Sequence, residues 1–516
     1  MVPDATPDRR AQQTVTGRRQ VRQGTPVGCA TTTRRGRLFD YAEAAVQGAL
    51  DAGATYADAR ALLSREEAVF ARDGLIESLR TDEHAGVGVR ALMGGAWGFF
   101  ATNDLTEASA RSAGQQAATI ARASAMVPFP DVSLTDVPVV QDSYETPHDE
   151  DPFAVAISEK ADLLVGVTTA MREVDGIAVA RATQRSWSTE KWFVSSQGHR
   201  ISQRLVECGG GMDATAVGDN ETQRRSYPQA FGQYATGGYE IIRDFDLPAH
   251  APRIAEEAVA LLSAEECPTA ESDLVLESSQ LALQIHESVG HAIELDRILG
   301  WEAAFAGTSF LDLAKLGSLR YGSELMNITA DATLPRALGT FGYDDEGTPA
   351  QQVDIVRDGT WVGVLSGRDS AHIAGLPPGG MVRADGYNRL PMVRMTNVGI
   401  MPGDSSLDEI ISETRDGVYM STNRSWSIDD KRLNFQFGCE IAWEVKNGRR
   451  GRMLRNPTYT GITPVFWSKL DMLAGPDEWV AWGTPNCGKG QPMQVAHTGH
   501  PATPARFRNV RVGVRG

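Results

Sequence analysis

The segment Gln284–Asp296, QIHESVGHAIELD, carries two histidines and a glutamate whose types and spacing suit metal chemistry. In the H-E-x-x-H zinc hydrolases the two histidines are four residues apart and share one helical face. His286 and His291 are five residues apart, so a regular helix would set them about 140° apart around its axis. A single π turn would bring them towards one face, and Gly290 weakens the regular helix at that point. The spacing therefore predicts a metal site with a local helix distortion, although the pattern alone also fits a chance helix.

Two imidazoles are too few for catalytic zinc, which usually takes three protein ligands. Candidates for the third are Cys487 in GTPNCGKGQP and the histidines His497 and His500 in HTGH. A thiolate is a strong, soft zinc ligand, and the glycines around Cys487 would allow its loop to approach the helix. We therefore favour Cys487. Cys439 lies within the strand pattern FQFGCEIAWEV and is predicted to pack in a core.

Glu287 adjoins the first histidine, as the general base does in H-E-x-x-H enzymes, and is the predicted catalytic residue. Glu294 could orient His291 through a hydrogen bond or could equally be an exposed helix residue. Asp296 is interpreted as surface charge. The stretch GTPNCGKG almost completes a phosphate-binding loop, but Gly490 replaces the required Ser or Thr and no helix can follow. Nucleotide binding is therefore excluded.

Composition limits the possible partners. The chain has 516 residues and a formal charge of −16, which argues against binding a phosphate backbone. No run approaches the roughly 18 apolar residues that a membrane helix needs. We therefore expect neither a nucleic-acid nor a membrane partner. The five cysteines are scattered without a C-x-x-C pair, which is typical of a reducing, cytoplasmic location.

The length predicts several domains. Residues 1–37 hold eight arginines and few large apolar side chains, and are predicted to be a disordered basic tail. Residues 38–266 alternate between helical and strand patterns, which predicts an N-terminal α/β domain. Residues 267–516 predict a β-rich C-terminal domain that carries one metal-binding helix. The predicted fold class is therefore α+β.

The element that must position the histidines is the segment SQLALQIHESVGHAIELDRILG. It is predicted to be one long helix, with Ser279 as its N-cap and Gly300 just past its end. In the first half, TEASARSAGQQAATIARAS predicts a helix with Thr106 as N-cap. Most of the second half predicts short strands punctuated by glycine, from which Cys487 would reach the helix.

Several separate motifs, in order, resemble the TldD/PmbA peptidases, also called modulators of DNA gyrase, and specifically their TldD-type catalytic subunit. They are HESVGHAIELD, GYDDEGTPAQ, DGTWVGVLSGRDSA, NRLPMVRMTN and CGKGQP, together with GVGVRALMGGAWGFFATNDL and FVSSQGHRI in the first half. The resemblance covers nearly everything from about Leu38 onward. It implies a two-domain zinc metallopeptidase in which His286, His291 and Cys487 bind Zn²⁺ and Glu287 is the base.

The resemblance also implies partners. The TldD-type subunit typically pairs with a PmbA (TldE) subunit that lacks the motif, so we expect a heterodimer or a homodimer. Implied substrates are small or unfolded peptides, including leader segments of ribosomally made modified peptides. Two alternatives stay open at this point: a non-catalytic peptide-binding or scaffold subunit, and a zinc hydrolase of non-peptide amides.

Overall fold

The structure is a computed structural model that describes residues 37–127, 130–305 and 307–513. The basic tail predicted for residues 1–37 lies, apart from Arg37, outside the described residues. Within them, helices and strands form a mixed α+β fold, which confirms the predicted fold class. No helix in this part of the chain combines the length and the apolar character that a membrane crossing requires.

The first half of the chain is built on one large sheet. Its strands are β1 (Tyr56–Arg72), β2 (Leu75–Met93), β3 (Ala96–Thr102), β4 (Gln141–Glu145), β5 (Ile177–Ser195), β6 (Arg200–Val217), β7 (Thr222–Tyr227) and β8 (Gln233–Thr236). They are ordered β3-β2-β1-β5-β6-β4, and β7 and β8 also pair with β6. Paired neighbours run antiparallel except β4 and β6, as in a meander joined by hairpins.

Helices pack against this sheet. They are α1 (Leu38–Asp51), α2 (Glu107–Ser124), α3 (Ile157–Arg172), α4 (Glu240–Asp244) and α5 (Leu247–Ser263). The hydroxyl of Thr106 accepts a hydrogen bond from the Ser109 amide, which confirms Thr106 as the N-cap of α2. The helices α1 and α2 approach closely: a Cβ on Gly114 would lie 1.9 Å from the Ala45 carbonyl oxygen. Glycine is therefore required at this crossing.

The second half contains more strands. They are β9 (Glu265–Glu266), β10 (Ala270–Leu276), β11 (Ile328–Asp331), β12 (Gln352–Arg357), β13 (Thr360–Trp361), β14 (Val382–Arg383), β15 (Met392–Val393), β16 (Val398–Ile400), β17 (Asp416–Ile428), β18 (Asn434–Lys446), β19 (Arg449–Arg455), β20 (Thr458–Ile462), β21 (Leu470–Leu473), β22 (Val480–Lys489), β23 (Gln494–Ala502) and β24 (Ala505–Val512). The main sheet is ordered β17-β10-β24-β20-β18-β19-β9, and β21 also pairs with β24. Because β17 pairs with β18 as well, five of these strands close into a ring. A smaller sheet, β13-β12-β11-β16, and the pairs β14–β15 and β22–β23 complete the strands.

Short helices connect these strands. They are α6 (Ser278–Ile285), α7 (Leu295–Ile298), α8 (Arg368–Ala374), α9 (Leu407–Ser412) and α10 (Thr463–Trp467), with 3₁₀ turns at Leu313–Lys315 and Pro476–Glu478. The prediction of one long helix ending at Gly300 is wrong: a π turn follows α6, and Glu294 is extended and bridges to Leu365 before α7 begins. Ser279 is not the N-cap, because the carboxylate of Glu277 accepts its amide hydrogen bond at 3.0 Å.

The largest core of the described residues surrounds α6. Seven of its eight residues are buried, and its apolar side chains belong to the same core as Phe437 of the main sheet and Trp467 of α10. Since the following π turn is also buried, its histidines and glutamate are enclosed by the second half of the chain. Buried polar side chains must find partners, so this enclosure governs how they are oriented.

The two halves of the chain meet through buried ion pairs. Asp345, in the loop between β11 and β12, bonds Arg60 of β1 at 3.1 Å and also Lys191 of β5. The neighbouring Glu346 bonds Arg90 of β2 at 3.2 Å. Burial by itself would raise the pKa of Asp345, but the two cations outweigh it and lower that pKa to about 2. We call these residues, with Asp58, the junction cluster: Asp58, Arg60, Arg90, Lys191, Asp345 and Glu346.

Candidate metal centre

The π turn sets the two histidines on one side of the helix. The His291 amide donates to the His286 carbonyl at 3.2 Å, an i to i+5 hydrogen bond, which confirms the predicted distortion. The two imidazole centroids are 4.9 Å apart with nearly perpendicular planes. Packing also favours glycine at position 290, which the sequence does not reveal. A Cβ there would lie 2.1 Å from the Met395 sulfur. A larger residue at this position would therefore have to displace the buried Met395 side chain.

The third candidate ligand comes from the hairpin β22–β23. Cys487 faces Ala496 across this hairpin, and its sulfur lies 3.7 Å from Nε2 of His291. One ligand atom each from His286, His291 and Cys487 all lie within 4.8 Å of one another. The structure thus brings together the three residues that the sequence selected. That they bind a metal ion stays a prediction.

Hydrogen bonds orient His286 for coordination. Its Nδ1 lies 2.7 Å from Nε2 of His500, whose own Nδ1 lies 3.0 Å from the Val398 carbonyl oxygen. A carbonyl only accepts, so His500 carries its proton on Nδ1 and accepts at Nε2. His286 must then donate from Nδ1, which leaves the lone pair of its Nε2 free. His500, a candidate ligand in the sequence, therefore orients the candidate ligand His286.

Glu294 performs the same task for His291. Its Oε2 lies 3.0 Å from Nδ1 of His291, so that nitrogen donates and Nε2 keeps its lone pair towards Cys487. Of the two roles left open for Glu294, the structure selects orientation of the imidazole, since the side chain is fully buried. Burial alone would raise the pKa of Glu294, but Lys489 and His291 outweigh it, so that pKa is held well below its usual value.

The charges of the three residues also suit a divalent cation. Burial lowers the pKa of both His286 and His291, which favours the neutral, ligating form. Burial by itself would raise the pKa of Cys487, but His291 and Arg394 outweigh it and lower that pKa from its usual value. Two neutral imidazoles and a thiolate form a donor set that zinc accepts, so these residues fit the metal.

Glu287 lies beside these ligands at the wall of a cavity of about 380 Å³. The three candidate ligands line the same cavity. Arg432 donates from Nη1 to Oε2 of Glu287 at 2.8 Å. Two half-exposed aromatic rings, Phe231 and Trp426, lie edge to face at 5.8 Å and form an apolar wall. A carboxylate, a cation, three metal-ligating atoms and an apolar surface therefore share one space.

The interpretation of Asp296 as surface charge is wrong. It is 4% exposed, and both of its carboxylate oxygens accept from Nζ of Lys489 at 2.8 Å. Lys489 also lies 3.3 Å from Glu294, so it neutralises two buried carboxylates behind His291. Burial raises the pKa of Asp296, Lys489 lowers it, and the neighbouring negative charge of Glu294 raises it again, so that this pKa is about 6. This lysine of the discarded phosphate-loop pattern points inward and is fully buried.

The remaining candidates lie elsewhere. His497 bonds Glu207 at 2.8 Å, packs its ring against Trp187, and lines a second cavity of about 640 Å³. Asn486 lines both cavities, so the second begins next to the metal centre. Cys439 has no exposed surface and packs in the large core, which confirms the packing role predicted for it. Arg432 carried no signal in the sequence, because the contact that distinguishes it joins residues 145 positions apart.

Comparisons with known proteins agree with this arrangement. Family models match residues 57–121 (PmbA/TldA metallopeptidase domain 1), 150–264 (the central domain) and 269–512 (the C-terminal domain). A metalloprotease of Methanocaldococcus jannaschii is 29% identical over 447 residues, covering 86% of this chain and 94% of that protein. A metalloprotease TldD homolog of Haemophilus influenzae is 25% identical over 451 residues, covering 87% of this chain and 91% of that protein.

Solved structures share the fold. A protein of Thermotoga maritima, described as a modulator of a DNA gyrase, superposes with a TM-score of 0.72 at 16% identity, covering 93% of this chain and all of that one. TldE of Thermococcus kodakarensis gives a TM-score of 0.68 at 16% identity, covering 92% and 99%. At these identities the likeness concerns the fold alone.

Buried candidate ligands beside a carboxylate, on a mixed α+β fold, are typical of metal-dependent hydrolases. Within that class the three family models together span most of the sequence. The chain belongs to the PmbA/TldD metallopeptidase family. The prediction of an enzyme of the metalloprotease type is confirmed at the level of this family.

Proposed function

We propose that this protein is a zinc peptidase of the TldD type, in which His286, His291 and Cys487 hold the metal ion and Glu287 is the general base. One observation carries the proposal: three buried donor atoms converge next to a carboxylate in a single cavity. Folding alone does not require such a set. The name "zinc metalloprotease TldD homolog" of a relative from Saccharolobus solfataricus, 26% identical over 264 residues, supports the choice of zinc.

The residues have separate tasks. Bound between them, zinc would act as a Lewis acid towards the peptide carbonyl and make water more acidic. Glu287 accepts the proton that water loses as its oxygen adds to the carbonyl carbon, and returns it to the leaving nitrogen as the C–N bond breaks. Glu294 and His500 hold Nδ1 of the two imidazoles, which would leave Nε2 of each available to the ion.

The substrates proposed are small or unfolded peptides, such as leader segments of modified peptides. The ligands are buried, and Glu287 is only 6% exposed, so the substrate must enter the cavity as a thin, extended chain. The adjoining cavity, lined in part by Asn486, offers room for further residues of that chain. A folded domain would not fit either space.

We also propose a PmbA/TldE-like partner subunit, as a heterodimer, or a second copy of this chain. The fold similarity to a TldE supports the capacity of this scaffold for such a role. A cytoplasmic location is proposed because the described cysteines, which are Cys208, Cys267, Cys439 and Cys487, are free thiols.

The test is hydrolysis of an unstructured peptide mixture by purified protein, alone and with a PmbA-like partner. Chelator should abolish cleavage, and Zn²⁺ should restore it. Glu287→Gln should keep the metal but lower kcat about 10²–10⁴-fold. Glu271→Gln, an exposed carboxylate on β10, is the matched control and should leave kcat unchanged. Near-native turnover in Glu287→Gln would refute its role as the base. A wild-type protein that never cleaves peptides, with or without partner, would favour a binding subunit.

A further inference from the structure

Arg432 is the cation that contacts the proposed general base. It lies in the turn between β17 and β18 and donates from Nη1 to Oε2 of Glu287 at 2.8 Å. Its side chain is 17% exposed and lines the same cavity as His286, His291 and Cys487. The guanidinium therefore faces the space that a scissile peptide bond must occupy.

The turn holds Arg432 in a defined orientation. Its backbone has φ of 63°, in the left-handed region that residues with a Cβ seldom adopt. The hydroxyl of Thr463 donates to its carbonyl oxygen at 2.7 Å, and the carboxylate of Asp429 accepts from the Leu433 amide at 2.8 Å. Because these contacts fix the backbone of the turn, they restrict the directions in which the Arg432 side chain can extend.

The ion pair with Glu287 uses only part of the hydrogen-bonding capacity of Arg432. Among the described residues, its guanidinium makes one hydrogen bond, to Glu287, although it carries five N–H donors. The side chain lines the cavity, so donors that remain can meet an acceptor that enters it. The carbonyl oxygen of a bound peptide would be such an acceptor.

We propose that Arg432 is a further catalytic residue: it fixes the carboxylate of Glu287 and donates a hydrogen bond from its guanidinium to the carbonyl oxygen of the scissile peptide bond. This inference rests on the proposed peptidase function. As the oxygen of water adds to the carbonyl carbon, the electron pair of the C=O bond moves to the carbonyl oxygen, and the Arg432 hydrogen bond strengthens with that charge. The C–N bond then breaks, Glu287 delivers the proton to nitrogen, and Arg432 keeps its own protons throughout.

The test compares Arg432→Met and Arg432→Lys with the wild type, using Lys431→Met as control because Lys431 is the exposed cation next to it. Arg432→Met should lower kcat about 10²–10³-fold, the usual effect of losing one such donor. KM and zinc content should stay near the wild-type values. Arg432→Lys should recover part of kcat, since it restores a positive charge but not the planar fork. Lys431→Met should behave as the wild type.

A second readout does not depend on turnover. A phosphinic peptide, whose tetrahedral anionic group imitates the charged carbonyl oxygen, should bind Arg432→Met about 10²-fold more weakly by calorimetry. The corresponding uncleaved peptide, titrated into the Glu287→Gln background, should lose little affinity on the same substitution. Added guanidinium ion should partly restore kcat of Arg432→Met.

Two results would overturn the proposal while leaving the peptidase function intact. One is a wild-type enzyme inhibited by chelator whose Arg432→Met variant keeps kcat within about threefold. The other is a loss confined to KM, with equal weakening of the phosphinic and the ordinary peptide, which would make Arg432 a ground-state binding residue. Absence of cleavage by the wild type would instead contradict the proposed function itself.

Discussion

The candidate metal centre and the junction cluster are both buried groups of ionisable residues, but their charges are arranged differently. In the junction cluster, Asp345 is met by Arg60 and Lys191, so opposite charges of the chain face each other directly. In the candidate metal centre, one ligand atom each from His286, His291 and Cys487 lie within 4.8 Å of one another. The first cluster pairs the protein's own charges, whereas we propose that the second provides donors for a metal ion.

This difference teaches how to separate structural from functional polar clusters in this fold. Buried charges that satisfy one another contribute to the docking of two halves of the chain. A buried imidazole can be oriented by a hydrogen bond at one ring nitrogen, as His286 is by His500. The lone pair of its other ring nitrogen then stays available to a metal ion. Substitutions in the two clusters should therefore affect different observables.

The largest expected effect separates two buried cysteines. Cys487→Ala should lose the metal. Removing the hydrogen-bond partner of a ligand typically lowers metal affinity about 10–100-fold, and removing a ligand itself should lower it more. Cys439→Ala, in the apolar core, should keep the metal and lose only some stability. Metal analysis of the purified variants checks this. If Cys439→Ala lost the metal instead, the ligand set would have to be reassigned.

The next effect belongs to the junction cluster. Asp345→Asn leaves Arg60 and Lys191 buried without their carboxylate, which should lower the free energy of unfolding by about 3–5 kcal/mol. The folded fraction should still bind metal normally. Denaturant unfolding gives the first quantity and metal titration the second. Asp354→Asn, which breaks a surface pair with Arg357, is the control and should change neither. Weaker metal binding in Asp345→Asn would erase the distinction between the clusters.

A smaller effect is expected for His500, which contacts the candidate ligand His286. His500→Phe removes the acceptor for Nδ1 of His286, so metal affinity should fall about 10–100-fold. His497→Phe alters the same strand but contacts Glu207 rather than a ligand, and should leave metal affinity unchanged. Competition with a chromophoric chelator measures both. Equal losses in the two variants would argue that the strand, not the hydrogen bond, matters.

The smallest effect concerns pH. The pKa of Asp345 is lowered in the folded protein to about 2, below its ordinary value of 3.8, so its ionised form stabilises the fold. That stabilisation is complete above about pH 4 and disappears as the pH falls through 2, a change of about 2 kcal/mol. The stability gap between the wild type and Asp345→Asn should narrow over this window, as measured by urea unfolding at each pH. A gap independent of pH would contradict the ion-pair assignment.

The sequence predicted the local chemistry better than its surroundings. The five-residue histidine spacing was sufficient to predict the π turn, because helix geometry depends on neighbours in the chain. The contact that requires Gly290, with the Met395 sulfur, joins distant segments and leaves no trace in that spacing. Asp296 was misjudged for the same reason, since its partner Lys489 is 193 residues away. The junction cluster was unpredictable on these grounds too, because Arg60 and Asp345 are 285 residues apart.

Caps and element lengths were predicted only in part. Thr106 was identified as an N-cap because the pattern there is local and the competing side chains are few. At α6 the sequence offered three adjacent polar residues, and Glu277 rather than Ser279 caps the helix. The predicted helix was too long because no residue pattern near Glu294 indicates its pairing with the distant Leu365.

The 196 residues that separate His291 from Cys487 also set an order of events during synthesis. At about 5–20 residues per second, a ribosome adds the cysteine about 10–40 s after the second histidine. Throughout that interval the emerging chain holds His286, His291 and Glu287 but lacks Cys487, the third proposed ligand. Prematurely ended products share this deficiency. The proposed zinc site is thus incomplete until translation has passed β22, and a chain that is still being made lacks the full set of residues for the proposed hydrolysis.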